Sequence, residues 1–128
     1  LYTKWSLFGT KIIKIACRDH EYPDGDRVQI MLNGYIVKSN LLLTSNYRRV
    51  EVVLADGKNT VDIIALNQGE SGPNTAEFVV YDDKGKVISS KEWNLLTGVK
   101  ATIIFNNEKA VIKQKTTKEE KEDTASNN

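Results

Sequence analysis

Cysteine, histidine, proline and long apolar runs are scarce in this chain, which has one cysteine, one histidine and two prolines among 128 residues. A single cysteine can form neither an intramolecular disulfide nor a zinc cluster. No segment reaches the roughly 18 consecutive apolar residues of a transmembrane helix, so we expect no membrane span. Gly-x-Ser-x-Gly elbows and Gly-rich phosphate-binding loops are also missing, so the sequence has neither of these two motifs of enzyme active sites.

An excess of one charge is lacking as well. The chain has 18 Lys and Arg residues against 17 Asp and Glu residues, a formal net charge of +1. Because nucleic-acid binding depends on surplus positive charge, we expect no nucleic-acid partner. The length is that of one domain that can bury a core without disulfides. The chain starts with neither an initiator Met nor a basic segment and apolar run, so we expect a processed form or a piece of a longer protein.

The clearest local pattern is a β-hairpin within residues 24–38. Apolar residues alternate from Val28 to Leu32, which is the period-two pattern of a strand with one buried face. Asn33-Gly34 follows, and this dipeptide favours the two positive φ angles of a type I′ turn. Residues 35–38 are therefore predicted to form the return strand.

Alternation of the same kind predicts further strands, and short turns rich in Gly, Asn and Asp separate them every 8–12 residues or so. No helical periodicity of useful length is present. The pattern favours an all-β fold, an antiparallel β-sandwich of about eight strands, with a barrel as the alternative. The predicted strands are residues 11–18, 28–32, 35–38, 49–54, 59–66, 75–82, 86–92 and 99–106.

The domain organisation follows from these strands. Residues 1–10 are a lead-in segment or edge strand, residues 11–106 form the β-sandwich domain, and residues 107–128 are a polar tail or linker. Residues 113–128 have mixed charge and no aromatic side chain. They bury too little apolar surface to offset their ordering entropy, so we expect disorder. A short surface helix within residues 117–123 is the alternative.

The single cysteine and the single histidine are the residues to weigh for nucleophilic catalysis. Cys17 has the same parity as Ile13 and Ile15 on a predicted strand, so we expect a small buried apolar side chain. A reactive thiol is the alternative. His20 lies in a polar loop, where we expect a solvated side chain, and a role in a catalytic triad is the alternative.

Acidic residues are concentrated in one predicted loop. Hard cations such as Ca²⁺ prefer carboxylate, amide and carbonyl oxygens, and two loops that share one end of a sandwich would supply all three. The candidate metal ligands are Asp19, Glu21, Asp24, Asp26, Asn67 and Asn74, with Glu70 beside the last two. Their spacing is not that of an EF-hand, and the alternative is a turn at Asp24-Gly25 with the other acids solvated.

Aromatic residues at the expected strand ends are candidate stacking platforms for a sugar ring. The pair Arg48-Arg49 follows Tyr47 directly and suits an anionic group. The alternative is core or rim packing for the aromatic rings and solvation for the arginines. The candidate ligand-binding residues are Trp5, Tyr47, Arg48 and Trp93, and Tyr22 and Tyr81 are further aromatic candidates.

Three motifs together resemble a β-sandwich module of secreted and cell-surface proteins from Bacteroidetes-type bacteria. The motifs are Asp24-Gly25-Asp26, Asn33-Gly34 and Asn67-x-Gly69-x-x-x-Pro73-Asn74-Thr75-Ala76. The resemblance covers about residues 11–105, and its most specific part is the Pro-Asn-Thr-Ala segment. It departs at Gly72, where the family often has a second proline. It implies an extracytoplasmic location and an immunoglobulin-like fold, and it brings no catalytic residue.

The sequence leaves three functions to compare. The first is a non-catalytic binding or adhesion module that recognises a protein or glycan at the cell surface through loops 19–26 and 67–74, since loops on a rigid scaffold commonly carry recognition. The second is a structural spacer or a subunit of a larger surface assembly, which would make contacts through strand edges and flanking segments. The third is a small hydrolase.

Overall fold

The structure is a computed structural model, and it describes residues 2–19, 25–67 and 74–109, apart from the side chains of Asn74 and Leu95. All of the regular structure in these ranges is β-strand, as the alternating sequence predicted. The nine strands are β1 (Tyr2–Phe8), β2 (Ile12–Asp19), β3 (Arg27–Leu32), β4 (Tyr35–Leu42), β5 (Arg48–Val53), β6 (Gly57–Ala65), β7 (Asn74–Tyr81), β8 (Val87–Leu95) and β9 (Lys100–Glu108).

The strands form two packed sheets, and the predicted β-sandwich is confirmed. One sheet has the order β1-β9-β6-β3-β4, and the other has the order β5-β2-β7-β8. Neighbouring strands are antiparallel with one exception, because β1 and β9 run parallel. The parallel pair joins strands from the two ends of the described chain. Because no short turn connects them, the local sequence could not predict this pairing.

The strand order can be compared with that of the immunoglobulin fold, in which strands C, F and G are neighbours in one sheet and B pairs with E in the other. Here β3, β6 and β9 are neighbours in the first sheet, and β2 pairs with β5 in the second. The β7–β8 hairpin lies between β6 and β9 in sequence and pairs with the other side of β2. The arrangement thus shares the central rows of the immunoglobulin fold and adds a hairpin.

A single hydrophobic core lies between the sheets, and the inward residues of both sheets build it. Ile13, Ile15 and Cys17 alternate along β2 and have no exposed surface. The expectation that Cys17 is a small buried side chain is therefore confirmed. Burial also raises the pKa of the Cys17 thiol to about 12, because a thiolate would lose its solvation there. The thiol stays protonated at neutral pH.

The ends of the domain differ in detail from the predicted boundaries. The lead-in segment forms β1, which lies at an edge of the five-stranded sheet. Strand β9 continues to Glu108, past the boundary placed at residue 106. Residues 110–128, which contain most of the predicted tail, lie outside the described residues.

The β3–β4 hairpin has the predicted turn. Asn33 and Gly34 have φ angles of 51° and 83°, which is the double positive combination of type I′. Asn33 also makes two hydrogen bonds that the Asn-Gly dipeptide does not predict. Its Oδ1 accepts the Thr60 N–H at 2.8 Å, and its own N–H donates to the Thr60 carbonyl at 2.8 Å. The turn is therefore attached to β6 as well as closing the hairpin.

We predict that Gly34→Val lowers the free energy of unfolding by more than about 1 kcal/mol, because a β-branched residue is strained at positive φ. A Cβ at this position would have no heavy atom within 4 Å, so the loss would be conformational rather than steric. Urea unfolding would measure it. Gly34→Asn is the matched control and should lose less, since Asn tolerates this region. Equal stability of wild type and Gly34→Val would contradict the prediction.

Candidate functional site

One end of the sandwich brings together several of the residues that the sequence singled out. We call it the loop end: strands β2, β4 and β6 end there, and β3, β5 and β7 begin there. Backbone hydrogen bonds join its connections. The Asp19 N–H donates to the Thr44 carbonyl at 2.8 Å, and the Leu43 N–H donates to the Asp26 carbonyl at 2.9 Å. The β4–β5 connection is therefore held against the end of β2 and the start of β3.

Asn67 ties a second connection to the same place. Its Oδ1 accepts the Arg27 N–H at 2.9 Å, and its Nδ2 donates to the Gly25 carbonyl at 3.1 Å. The sequence predicted that the two loops share one end of the sandwich, and among the described residues Asn67 joins them. Both polar atoms of its amide hold backbone, so its first role is to fix the start of β3.

Four of the six candidate metal ligands lie at the loop end, namely Asp19, Asp26, Asn67 and the first residue of β7, Asn74, and two of them are buried acids. The side chains of Asp19 and Asp26 are 4% and 2% exposed, and neither is without a partner. Glu21 and Asp24 lie outside the described residues, as does the side chain of Asn74. Within the described ranges, no group of three or more His, Cys, Asp or Glu side chains could hold a metal ion. Calcium binding stays a prediction.

That prediction is an increase in melting temperature in millimolar Ca²⁺ relative to chelator. A cation that binds only the folded state stabilises it by about 2.7 kcal/mol at a hundredfold excess over its Kd. Asp26→Asn should remove the increase, whereas Glu51→Gln on β5, away from the loop end, should keep it. Melting curves that are the same with Ca²⁺ and with chelator would rule out the site.

The two tryptophans proposed as sugar platforms serve the core instead. Trp93 is only 5% exposed, and its ring centroid lies 5.0 Å from that of Phe78. It cannot stack on a ligand, and the assignment is corrected. Trp5 is partly buried and packs against the core. The strand register explains the burial of Trp93, because Trp93 lies opposite the inward residue Ala76 on β7. The sequence of β8 alone does not reveal this pairing.

Tyr47 is the aromatic candidate that remains at the surface, and it is part of a cluster. The Cζ atom of Arg18 lies 4.8 Å from the centroid of the Tyr47 ring, within cation–π range. The Nε atom of Arg18 donates to Oε1 of Glu77 at 2.6 Å. Sequence reasoning found Tyr47 and missed its partners, because Arg18 and Glu77 are 59 residues apart and become neighbours only when β2 pairs with β7.

The charge states of this cluster follow from its contacts. The hydrogen bond to Glu77 raises the pKa of Arg18 above its usual value. Burial, followed by the hydrogen bond to Glu77, raises the pKa of Tyr47. At neutral pH the cluster therefore presents a guanidinium, a carboxylate and an uncharged phenol. These are planar groups held in a fixed mutual orientation.

The two arginines after Tyr47 have different surroundings. Nη1 of Arg48 donates to the Leu42 carbonyl at 3.3 Å, which ties the exposed side chain to the end of β4. Arg49 lines an open hollow of about 270 Å³ on the outer face of the four-stranded sheet, beside Lys14 and Tyr81. Asp82 lies at the rim of this hollow, and the backbone N–H of Lys86, followed by that of Lys84, lowers the pKa of its carboxyl.

The opposite end of the sandwich has a groove of about 410 Å³, with Leu54, Lys11 and Asn107 among its lining residues. Asn107 is 3% exposed. Its Nδ2 donates to the Thr10 carbonyl at 2.6 Å, and its Oδ1 accepts the Thr10 N–H at 3.1 Å. Asn107 thus closes this end as Asn67 closes the loop end. Nothing in the local sequence signalled the role of either residue.

We predict that Asn67→Ala lowers the free energy of unfolding by about 1–3 kcal/mol, because two backbone groups at the start of β3 lose their partner. Asn46→Ala at the same end of the sandwich is the matched control, since the hydrogen bond of Asn46 to Thr44 Oγ1 uses its backbone N–H. Chemical denaturation of the two variants would measure the difference. Equal losses of unfolding free energy in both variants would show that the Asn67 side chain does not stabilise the start of β3.

Comparisons with known proteins identified no similar protein. A scan against protein-family models, a search of curated proteins and a search of solved structures each found no match. The resemblance to a Bacteroidetes-type module therefore stays an expectation from the motifs. As for a membrane span, residues 2–19, 25–67 and 74–109 contain no helix that is long and apolar enough to cross a bilayer.

Proposed function

We propose that this chain is a non-catalytic, extracytoplasmic binding or adhesion module, and that its ligand is an acidic glycan at a cell surface. The observation that carries the proposal is the cluster of Tyr47, Arg18 and Glu77 beside the loop end. An aromatic face and two planar, oppositely charged groups that hold one another in place suit a ring with hydroxyl and carboxylate substituents.

The surroundings of the cluster support recognition of an anion. Tyr47 is 36% exposed, so its ring can be reached from solvent. Arg48 and Arg49 follow it directly and are exposed. Guanidinium groups bind carboxylates in a bidentate manner, which adds geometric selectivity to charge. A sugar ring on the face of Tyr47 away from Arg18 would place an acidic substituent within reach of Arg49, which lies on the same outer face of the sheet.

The rigidity of the scaffold also supports a binding role. Asn67 and the backbone bonds of Asp19 and Leu43 hold the connections of the loop end in place. A surface that is ordered before the ligand arrives loses less conformational entropy on binding. Recognition sites on sandwiches commonly lie on such loops.

Two parts of the proposal have separate support. The non-catalytic part is supported by Cys17, the only thiol, which is buried and has a pKa of about 12. A thiol of that kind is a poor nucleophile, since the thiolate is the reactive form. The extracytoplasmic part rests on the motif resemblance. His20 lies outside the described residues.

The test is binding to oligogalacturonate, with the neutral galactose oligomer as the comparison ligand, measured by isothermal titration calorimetry. We expect the acidic oligomer to bind more tightly, and its affinity to fall as salt is added. Tyr47→Ala and Arg49→Gln should each weaken it at least tenfold. Tyr35→Ala is the matched control, because Tyr35 is a 79% exposed tyrosine on the other sheet and should leave binding unchanged.

Two outcomes would contradict the proposal. One is an absence of binding by the wild type to either oligomer at millimolar concentration. The other is equal binding by wild type and Tyr47→Ala, which would place the ligand away from the cluster.

A further inference from the structure

Strand β1 offers an open edge of the five-stranded sheet. No strand in the described chain lies on the side of β1 away from β9. The hydrogen bond from the Gly9 N–H to the Glu108 carbonyl fixes which residues face β9. Since the polar groups of successive residues in a strand point to opposite sides, Thr3, Trp5 and Leu7 bond to β9, and Tyr2, Lys4 and Ser6 direct their N–H and C=O groups outward.

The other sheet edges are protected in ways that β1 is not. The pairing of β4 with β3 has two register shifts, and the pairing of β8 with β7 has one. Strand β5 carries three charged residues in its first four, Arg48, Arg49 and Glu51. Irregularities and charges of this kind prevent edge pairing. Strand β1 pairs regularly over its whole length and has Lys4 as its one charged residue.

The side chains of β1 also indicate an incomplete environment. Tyr2 and Phe8 on the outer face are 63% and 52% exposed, and Phe8 also has a contact within its own chain. Exposed aromatic rings at a sheet edge lose contact with water when a partner covers them, which favours association.

We infer that β1 pairs antiparallel with β1 of a second copy of this chain, with the two-fold axis at Trp5. The two five-stranded sheets then become one continuous sheet. Lys4 lies opposite Ser6 of the second copy, and the two residues exchange their outward N–H and C=O groups. Tyr2 lies opposite Phe8 of the second copy. A two-fold contact of this kind is self-complementary and closes as a dimer.

The occupant is a second copy because β1 complements itself in this register and not in the adjacent ones. A shift of two residues in one direction would place Lys4 opposite Lys4 of the second copy, where like charges repel. A shift in the other direction would leave Tyr2 without a partner strand. With the axis at Trp5, the two most exposed aromatic rings of β1 meet as a cross-strand pair, an arrangement that stabilises sheets.

The two-fold contact covers the outward backbone groups of Tyr2, Lys4 and Ser6 in both copies. The contact goes beyond the proposed glycan-binding function, since β1 contributes none of its residues, and it gives substance to the alternative of a subunit that assembles through strand edges.

The first test is sedimentation equilibrium of the purified chain from micromolar to millimolar concentration. We expect a monomer–dimer equilibrium. Ser6→Pro should raise the dissociation constant at least tenfold, because proline lacks the outward N–H, and the pairing with β9 does not use that group. Ser6→Ala keeps the N–H and should dimerise as the wild type does. A wild type that stays monomeric throughout, or a Ser6→Pro variant that dimerises equally, would overturn the inference.

The second test measures the register and does not depend on how Ser6→Pro folds. Mixing the Lys4→Cys variant with the Ser6→Cys variant under mild oxidation should give a disulfide-linked dimer, because opposed residues lie about 5.5 Å apart. In a dimer of either variant alone, the two introduced cysteines lie diagonal to each other rather than opposite. Each variant alone should therefore cross-link at most one-tenth as fast as the mixture. The native Cys17 is buried and does not interfere. Equal cross-linking in the mixed and separate samples, or none in either, would overturn the register.

Discussion

The alternation of buried and exposed residues along each strand is the constraint on which the rest of this molecule depends. Val61 and Ile63 on β6 have no exposed surface, whereas Thr60 and Asp62, which alternate with them, face outward. Because every strand gives one face to the core, recognition is left to the outer faces, the two ends and the sheet edges. The proposed glycan site lies on an outer face beside one end, and the proposed dimer contact lies on a sheet edge.

The sequence predicted the features that depend on neighbouring residues alone. Alternation in β2 identified Ile13 and Cys17 as core residues before any partner strand was known, and Asn33-Gly34 gave the correct turn because a type I′ turn is defined by two dihedral pairs. The sandwich followed from the number and spacing of such signals. In these segments local preference and global fold agree, as expected of natural sequences.

The features that the sequence did not reveal depend on which strands become neighbours. Trp5 lies opposite Phe105 in the parallel β1–β9 pair, although nothing near either residue indicates the pairing. The Arg18–Glu77 ion pair exists because β2 and β7 meet in one register. The same lack of pairing information made Trp93 look like a surface platform. A loop's ligand geometry depends on its backbone path rather than its composition, so the acidic residues could be named as metal candidates from the sequence but their arrangement could not be predicted.

Polar groups show where this sandwich is complete within one chain and where it is not. Asn67 and Asn107 close the two ends by pairing both atoms of each amide with backbone, and a fully paired polar group in a low-dielectric setting stiffens its surroundings. At β1 the reverse holds, since Tyr2, Lys4 and Ser6 direct backbone N–H and C=O groups away from β9, where no strand of the described chain lies. Ends whose connections are held by paired amides can present a preformed surface to a ligand, whereas an edge with unmatched backbone groups gains stability when another strand covers it.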